Sequence, residues 1–240
     1  MSIKIYSLSA LSSFSSEFDQ EDRPTRTSFW KNETLTLPAE GTHFGFVWQG
    51  DAQLKRVGQA LSFPPAFPLS AGMFFSTAEA TTIGGHDTAG MVVTQMTHSG
   101  QFLIGGPIES VGRFPYIDGG TTSLLIAPMA VGDPCLHALY MPSNVDQTMH
   151  SHPSDRIGII IKGSGQCCDQ KNCYDLAPGT LFHISPDHQH RFTTGSQGLD
   201  LVVFHPDSDM GFSDRNHPML SRTLVDNIRA TELPEIQTPL

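Results

Sequence analysis

Apolar positions along this chain fall in short runs, mostly four to seven residues long, several of them alternating with polar positions. The runs occupy residues 33–37, 42–48, 73–75, 91–95, 122–127, 136–141, 157–161, 181–184 and 199–204, and clusters of Gly, Pro, Asp or Ser separate them. Alternation with a period of two, punctuated by turn residues, predicts strands. Many short strands without long amphipathic stretches predict an all-β barrel or sandwich. Modest helical periodicity occurs in one segment, residues 221–230.

Two segments read as copies of one unit. Residues 67–75 (FPLSAGMFF) and 174–184 (YDLAPGTLFHI) each run strand, glycine turn, strand, with the turns at Gly72 and Gly179. Each copy follows a strand that ends in glycine, Gly50 in the first half and Gly163 in the second. This predicts an internal duplication with its seam in the turn-rich stretch 111–120.

Composition supports the strand reading. Charged residues are 16% of the 240, below the ~25% of an ordinary globular domain, and there are 22 glycines and 17 prolines. A formal net charge of −10 repels phosphate backbones and argues against a nucleic-acid partner. No apolar run approaches the ~18 residues of a membrane span, and the N-terminus lacks a basic stretch followed by a long apolar one. A soluble, cytoplasmic protein with no membrane partner is expected. Four cysteines are too few for a disulfide framework in a chain of this length. Cys135 stands alone, whereas Cys167, Cys168 and Cys173 are close together; reduced thiols are expected, with a thiolate metal site as the alternative.

Histidine placement is the chemical signal. Six of the eleven histidines lie between His150 and His205. His150 and His152 are two apart, so on a strand both imidazoles face one side. Pro153 and Ser154 interrupt the strand, an apolar run follows, and Gly163-Ser164-Gly165 reads as a hairpin. After the Pro178-Gly179 turn and another strand come His188 and His190.

These residues resemble the two motifs of the cupin superfamily, G-x5-H-x-H-x3–4-E-x6-G and G-x5-P-x-G-x2-H-x3-N. His150 and His152 fill H-x-H, Gly163 closes the first motif, Gly179 opens the second, and His190 takes its histidine. The resemblance covers roughly residues 130–206. It implies an all-β double-stranded β-helix, the cupin jelly roll, with a divalent metal inside. With the duplication it suggests two tandem barrels, a bicupin. The expected divisions are an N-terminal arm over residues 1–26, a degenerate first barrel over 27–112, a second barrel with the metal site over 113–206, and a tail over 207–240.

Departures from the motifs shape the expected chemistry. Asn144, Ser185, Asp187 and Thr194 replace a glycine, the proline, a glycine and the asparagine. The family's glutamate ligand is replaced by Arg156, whose guanidinium stays protonated and cannot ligate a cation. Asp155, one residue away on a strand, faces the other side. The expected site therefore has three histidines, His150, His152 and His190, completed by water or a bound ligand. Three imidazoles with open positions suit Fe, Zn, Ni or Cu and leave the ion's full charge uncompensated. Arg156 either orients a substrate carboxylate or enolate or pairs with Asp155 or another acid at the barrel mouth. Gln147 is a weak fourth ligand, a supporting residue or a surface residue. His188 is a proton or charge partner, or simply exposed in its turn.

His137, His183, His205 and His217 read as structural. In the first half, the ligand positions correspond to Leu37, Ala39 and Ile83, and His43 takes the glutamate position; no metal is expected there. The resemblance implies a small-molecule metalloenzyme of dioxygenase, isomerase or lyase type acting on an anionic ligand. The rival reading is a non-catalytic bicupin that binds or senses a small molecule. A homodimer is expected.

Overall fold

The computed structural model describes residues 2–7, 13–18, 23–58, 66–213 and 217–238. The chain begins with β1 (Ile3–Ser7), β2 (Ser13–Phe18), β3 (Thr25–Lys31), β4 (Thr34–Leu37), β5 (Thr42–Gln49) and β6 (Asp51–Arg56). β7 (Phe67–Ser70), β8 (Phe74–Thr77), β9 (Thr81–Gly84), β10 (Ala89–Gln95) and β11 (Leu103–Gly105) complete the first half. The second half holds β12 (Phe114–Pro115), β13 (Thr121–Ile126), β14 (Cys135–Met141), β15 (Arg156–Cys168), β16 (Cys173–Leu176), β17 (Thr180–Ile184) and β18 (Arg191–His205). A strand overlaps every run read from the alternation.

The first half folds into a six-stranded sheet, β11-β8-β5-β10-β3-β2, and a four-stranded one, β4-β9-β6-β7. In the second half β17-β15-β18-β14-β13-β12 form one sheet, with β16 on β15. The segment expected as an N-terminal arm contributes to both: β1 pairs with β17, and β2 pairs with β3.

Period-two side-chain direction divides the interior into three cores. Along β18, Leu201 and Val203 face the inside of the second half, whereas Val202 and Phe204 face the first half. The first half has its own core around Trp30, Leu54, Phe75 and Ile83. Between the halves, Phe29, Phe44, Phe46 and Met91 pack with Leu136, Ile159, Val202 and Phe204. Central strands buried on both faces explain why these runs are nearly continuous in hydrophobic residues.

The two halves repeat one hydrogen-bond pattern. Gly72 N–H donates to Val47 O at 2.8 Å, and Gly179 N–H donates to Ile160 O at 2.9 Å. Three residues after each acceptor stand Gly50 and Gly163, with φ of 74° and 81°. A Cβ at these positions would lie 2.2 Å from Asp87 O and 2.0 Å from Gly198 O respectively, so both conformation and close approach require glycine.

Three expectations are corrected. Gly163-Ser164-Gly165 is not a hairpin: β15 runs on to Cys168, and register shifts against β18 absorb the glycines as bulges. The turn comes at residues 169–172, which places Cys168 directly opposite Cys173. Their Cα atoms are 4.0 Å apart, and the two form a disulfide rather than the expected free thiols; Cys135 and Cys167 are free. The helix expected over residues 221–230 is instead α1 (Pro218–Arg222), followed by a hairpin of β19 (Leu224–Val225) and β20 (Ile228–Arg229). Asp226 and Asn227, with φ of 51° and 65°, form the two-residue turn that ends helical continuation. No helix among the described residues is long and apolar enough to cross a membrane.

Candidate metal centre

His150 and His190 meet across an antiparallel bridge. His150 N–H donates to His190 O at 2.9 Å, and His190 N–H donates to His150 O at 2.8 Å. His152 joins them because Asp187 N–H donates to its carbonyl at 2.6 Å, tying its segment to the loop before His190. The loop turns there with Asp187 at φ 56°, and Asn144 has φ 57°. Both stand where the cupin motifs that the sequence resembles have glycine, and Asn and Asp are the side chains that best tolerate left-handed backbone. These two departures preserve the turns.

The three imidazoles fit a metal ion. One ligating atom from each lies within 4.8 Å of the others. Ring centroids are 4.6 Å apart for His150–His190, 4.9 Å for His150–His152 and 5.3 Å for His152–His190, with the planes inclined at 50°, 80° and 50°. Inclined planes can meet at one ion. His150 Nδ1 donates to Thr148 O and His190 Nδ1 donates to His188 O, each at 2.8 Å. A carbonyl only accepts, so each Nδ1 carries the hydrogen and Nε2 keeps its lone pair for a metal. Thr148 is itself anchored: its N–H and Oγ1 donate to the two carboxylate oxygens of Asp118 at 2.8 and 3.1 Å. Sequence reasoning missed Asp118, because it lies 30 residues from Thr148 and belongs to no motif.

Burial sets the protonation. It pulls His152 down to about 3, with Arg156 and the other two imidazoles adding to the shift. Burial likewise pulls His190 down to about 4, against the hydrogen bond to His188 O. Both rings are neutral donors at pH 7.

Arg156 shares the site. Its Nη1 donates to Ser154 O, Ser154 Oγ and Asp155 O at 3.0, 2.8 and 2.9 Å. It makes no ion pair with Asp155, the partner considered from sequence, because that carboxylate faces His183. Arg156 Nε is buried without a hydrogen-bond partner. Arg156, His152, His190 and His205 line a cavity of about 50 Å³, walled by Phe182, Phe192 and aliphatic side chains. A wider cleft of about 340 Å³ lies between the halves around Phe44, Leu103, Ile126 and Met129, and none of the sequence-derived candidates lines it.

The remaining candidates are accounted for. Gln147 is buried rather than on the surface, and its Oε1 accepts from Phe192 N–H at 3.2 Å, supporting the strand that follows His190. His188 Nε2 lies 3.5 Å from Asp169 Oδ2, and its side chain is 19% exposed, so it is held rather than free in its turn. In the first half, Leu37 and Ile83 are core residues, and His43 is a satisfied core histidine bonded to Thr94 Oγ1 and Pro38 O. His217 caps α1 by accepting from Met219 N–H at 3.1 Å.

The chain matches the model of the AraC-like ligand binding domain over residues 137–215. No curated protein sequence matches it. Among solved structures it is similar to a cupin 2 conserved barrel domain protein from Leptotrichia buccalis, with a TM-score of 0.59 and 12% identity over 85% of this chain and 96% of that one. Protein Ylba from E. coli gives a TM-score of 0.61 at 12% identity, over 88% and 93% of the two chains. A mutant salicylate 1,2-dioxygenase from Pseudoaminobacter salicylatoxidans, in complex with gentisate, gives 0.58 at 9% identity over 85% and 82%. At these identities the likeness is one of fold.

Proposed function

We propose that the chain is a cupin-type, metal-dependent enzyme acting on a small anionic organic molecule, a reading supported by the cupin likeness of its fold and by the match to a ligand-binding domain over residues 137–215. In this reading His150, His152 and His190 hold one divalent ion, iron, zinc or nickel. The observation that carries the anionic ligand is Arg156, a guanidinium that makes no direct ion pair among the described residues, in the cavity shared with His152 and His190. It stands where the family has a carboxylate ligand. A guanidinium and the neutral imidazoles of His152 and His190 in one buried space call for a negative charge.

When bound, the ion supplies Lewis acidity, and iron adds dioxygen chemistry. The chain's own part is positioning. Arg156 Nε is the donor left for a ligand oxygen. Phe182 and Phe192 keep water from the reacting atoms. A cavity of about 50 Å³ takes a carboxylate head rather than an aromatic ring, so the substrate is a short-chain acid or the acidic end of a longer one. Reaction class follows from the metal: iron favours an oxygenase, and zinc or nickel an isomerase or lyase.

The same reading includes two tandem barrels, residues 27–112 and 113–206, flanked by the arm and the tail. The repeated Gly72 and Gly179 hydrogen bonds and the separate cores support it. Homodimerisation and a cytoplasmic location belong to it as well. The match to a ligand-binding domain favours a second reading, a sensor that binds the acid without consuming it.

Elemental analysis and oxygen uptake with a panel of short-chain acids test these readings. Consumption that is lost in His150→Ala, with KM raised about tenfold or more in a metal-loaded Arg156→Gln variant, supports the enzyme. Binding without consumption supports the sensor, and metal below about 0.1 per chain in reconstituted wild type removes both.

A further inference from the structure

A second set of metal-binding side chains lies on the inner face of the same half. Cys135 and His137 are two apart on β14 and face one side, and Cys135 is the direct register partner of His205 on β18. Neighbouring residues on that face, Leu139 and Val203, belong to the inner core of the second half. Cys135 Sγ lies 3.2 Å from His137 Nε2, and one ligating atom from each of the three residues lies within 4.8 Å of the others. The His137 and His205 rings stack at 4.6 Å with 12° between planes. Cys135 is buried, and no hydrogen bond to the His205 ring is made among the described residues.

We propose that Cys135, His137 and His205 form a second metal site, selective for the soft monovalent ion Cu(I). The site goes beyond the three-histidine reading and does not depend on it. One thiolate and two imidazoles are a soft donor set that suits copper. Charge selects the oxidation state. A thiolate and Cu(I) sum to zero, so these three donors need no further anion, whereas a divalent ion would need one, as at the three-histidine centre beside Arg156. Binding is a plain exchange: the thiol proton leaves to solvent as the sulfur–copper bond forms, and no oxidation state changes. An ion lying in both ring planes requires one stacked imidazole to turn about χ2, a soft torsion.

Anaerobic titration of the full chain with Cu(I), buffered by bicinchoninate, tests the site in a His150→Ala/His152→Ala background that removes the first centre. One retained equivalent is expected, with one sulfur and two nitrogen neighbours in the copper X-ray absorption spectrum. Cys135→Ser and His205→Gln in that background should each weaken retention about 100-fold. Cys167→Ser, which removes a thiol outside the cluster, should leave retention unchanged. No retained copper in the background chain, a copper spectrum without sulfur, or undiminished retention in both ligand variants overturns the proposal. Should a variant fail to fold, the spectrum of the background chain decides. Zinc or iron content of the wild type reports the three-histidine site separately, so the two readings fail independently.

Discussion

His183 Nε2 donates to Asp155 Oδ1 at 2.6 Å, with both side chains buried. Asp155 on one side of the strand and Arg156 on the other thus have different partners. The acid is committed to His183, and the guanidinium is left to the metal cavity. Asp155→Ala removes the acceptor and strands a buried imidazole N–H. The expected loss is about 3 kcal/mol in urea unfolding, with or without metal. A loss below about 1 kcal/mol would show that the pair contributes little to stability.

Asp118 acts on His150 through Thr148. Asp118→Ala frees the Thr148 backbone, whose carbonyl sets the tautomer of His150. Metal affinity should fall about tenfold while the unfolding midpoint of the metal-free chain moves little. Zinc titration against a chromophoric chelator reads the first, and unchanged affinity would remove Asp118 from the supporting shell.

Stability of the metal-free chain should decline on acidification. Burial, with Arg156 adding to it, holds His152 near 3 and His137 near 4; His190 also lies near 4. All three are below the 6.5 of a free imidazole. Between these values the unfolded chain binds more protons than the folded one, so stability rises with pH in that window and is lost as pH falls through it. Each such histidine contributes a slope of at most about 1.4 kcal/mol per pH unit. Urea midpoints with chelator at pH 7, 6 and 5 should fall in that order, and a flat series would mean that the rings protonate freely in the folded chain.

Gly163→Ala and Gly58→Ala separate conformation from crowding. Their φ values are similar, 81° and 83°, but the added methyl meets Gly198 O at 2.0 Å in the first and nothing within 4 Å in the second. Gly58→Ala should cost about 1 kcal/mol and Gly163→Ala at least about 2 kcal/mol more. Equal costs in thermal unfolding would mean that β15 shifts freely away from β18.

Local pattern carried much of this architecture. Alternation over four to seven residues places strands because side-chain direction is a property of neighbouring residues. Motif spacing identified His150, His152 and His190 as a set that converges, and Leu37 and Ile83, at two of the corresponding first-half positions, are core residues. Asn144 and Asp187 were legible as departures, but their left-handed backbone shows only in three dimensions.

Pairing between distant strands was not legible, since register depends on packing across the whole sheet. Gly163-Ser164-Gly165 has turn chemistry, yet the long match of β15 to β18 makes it a bulge and moves the turn to the residues between Cys168 and Cys173. β1 joins β17 across about three quarters of the chain, pairing Ile3 with Ile184. The meeting of Cys135 with His205, and the commitment of Asp155 to His183, likewise follow from register. By itself the sequence determined the strands, the three-histidine set and the arginine in place of a carboxylate. Tertiary structure alone decided which charges are paired and which donors converge, because those depend on groups brought together from far apart in the chain.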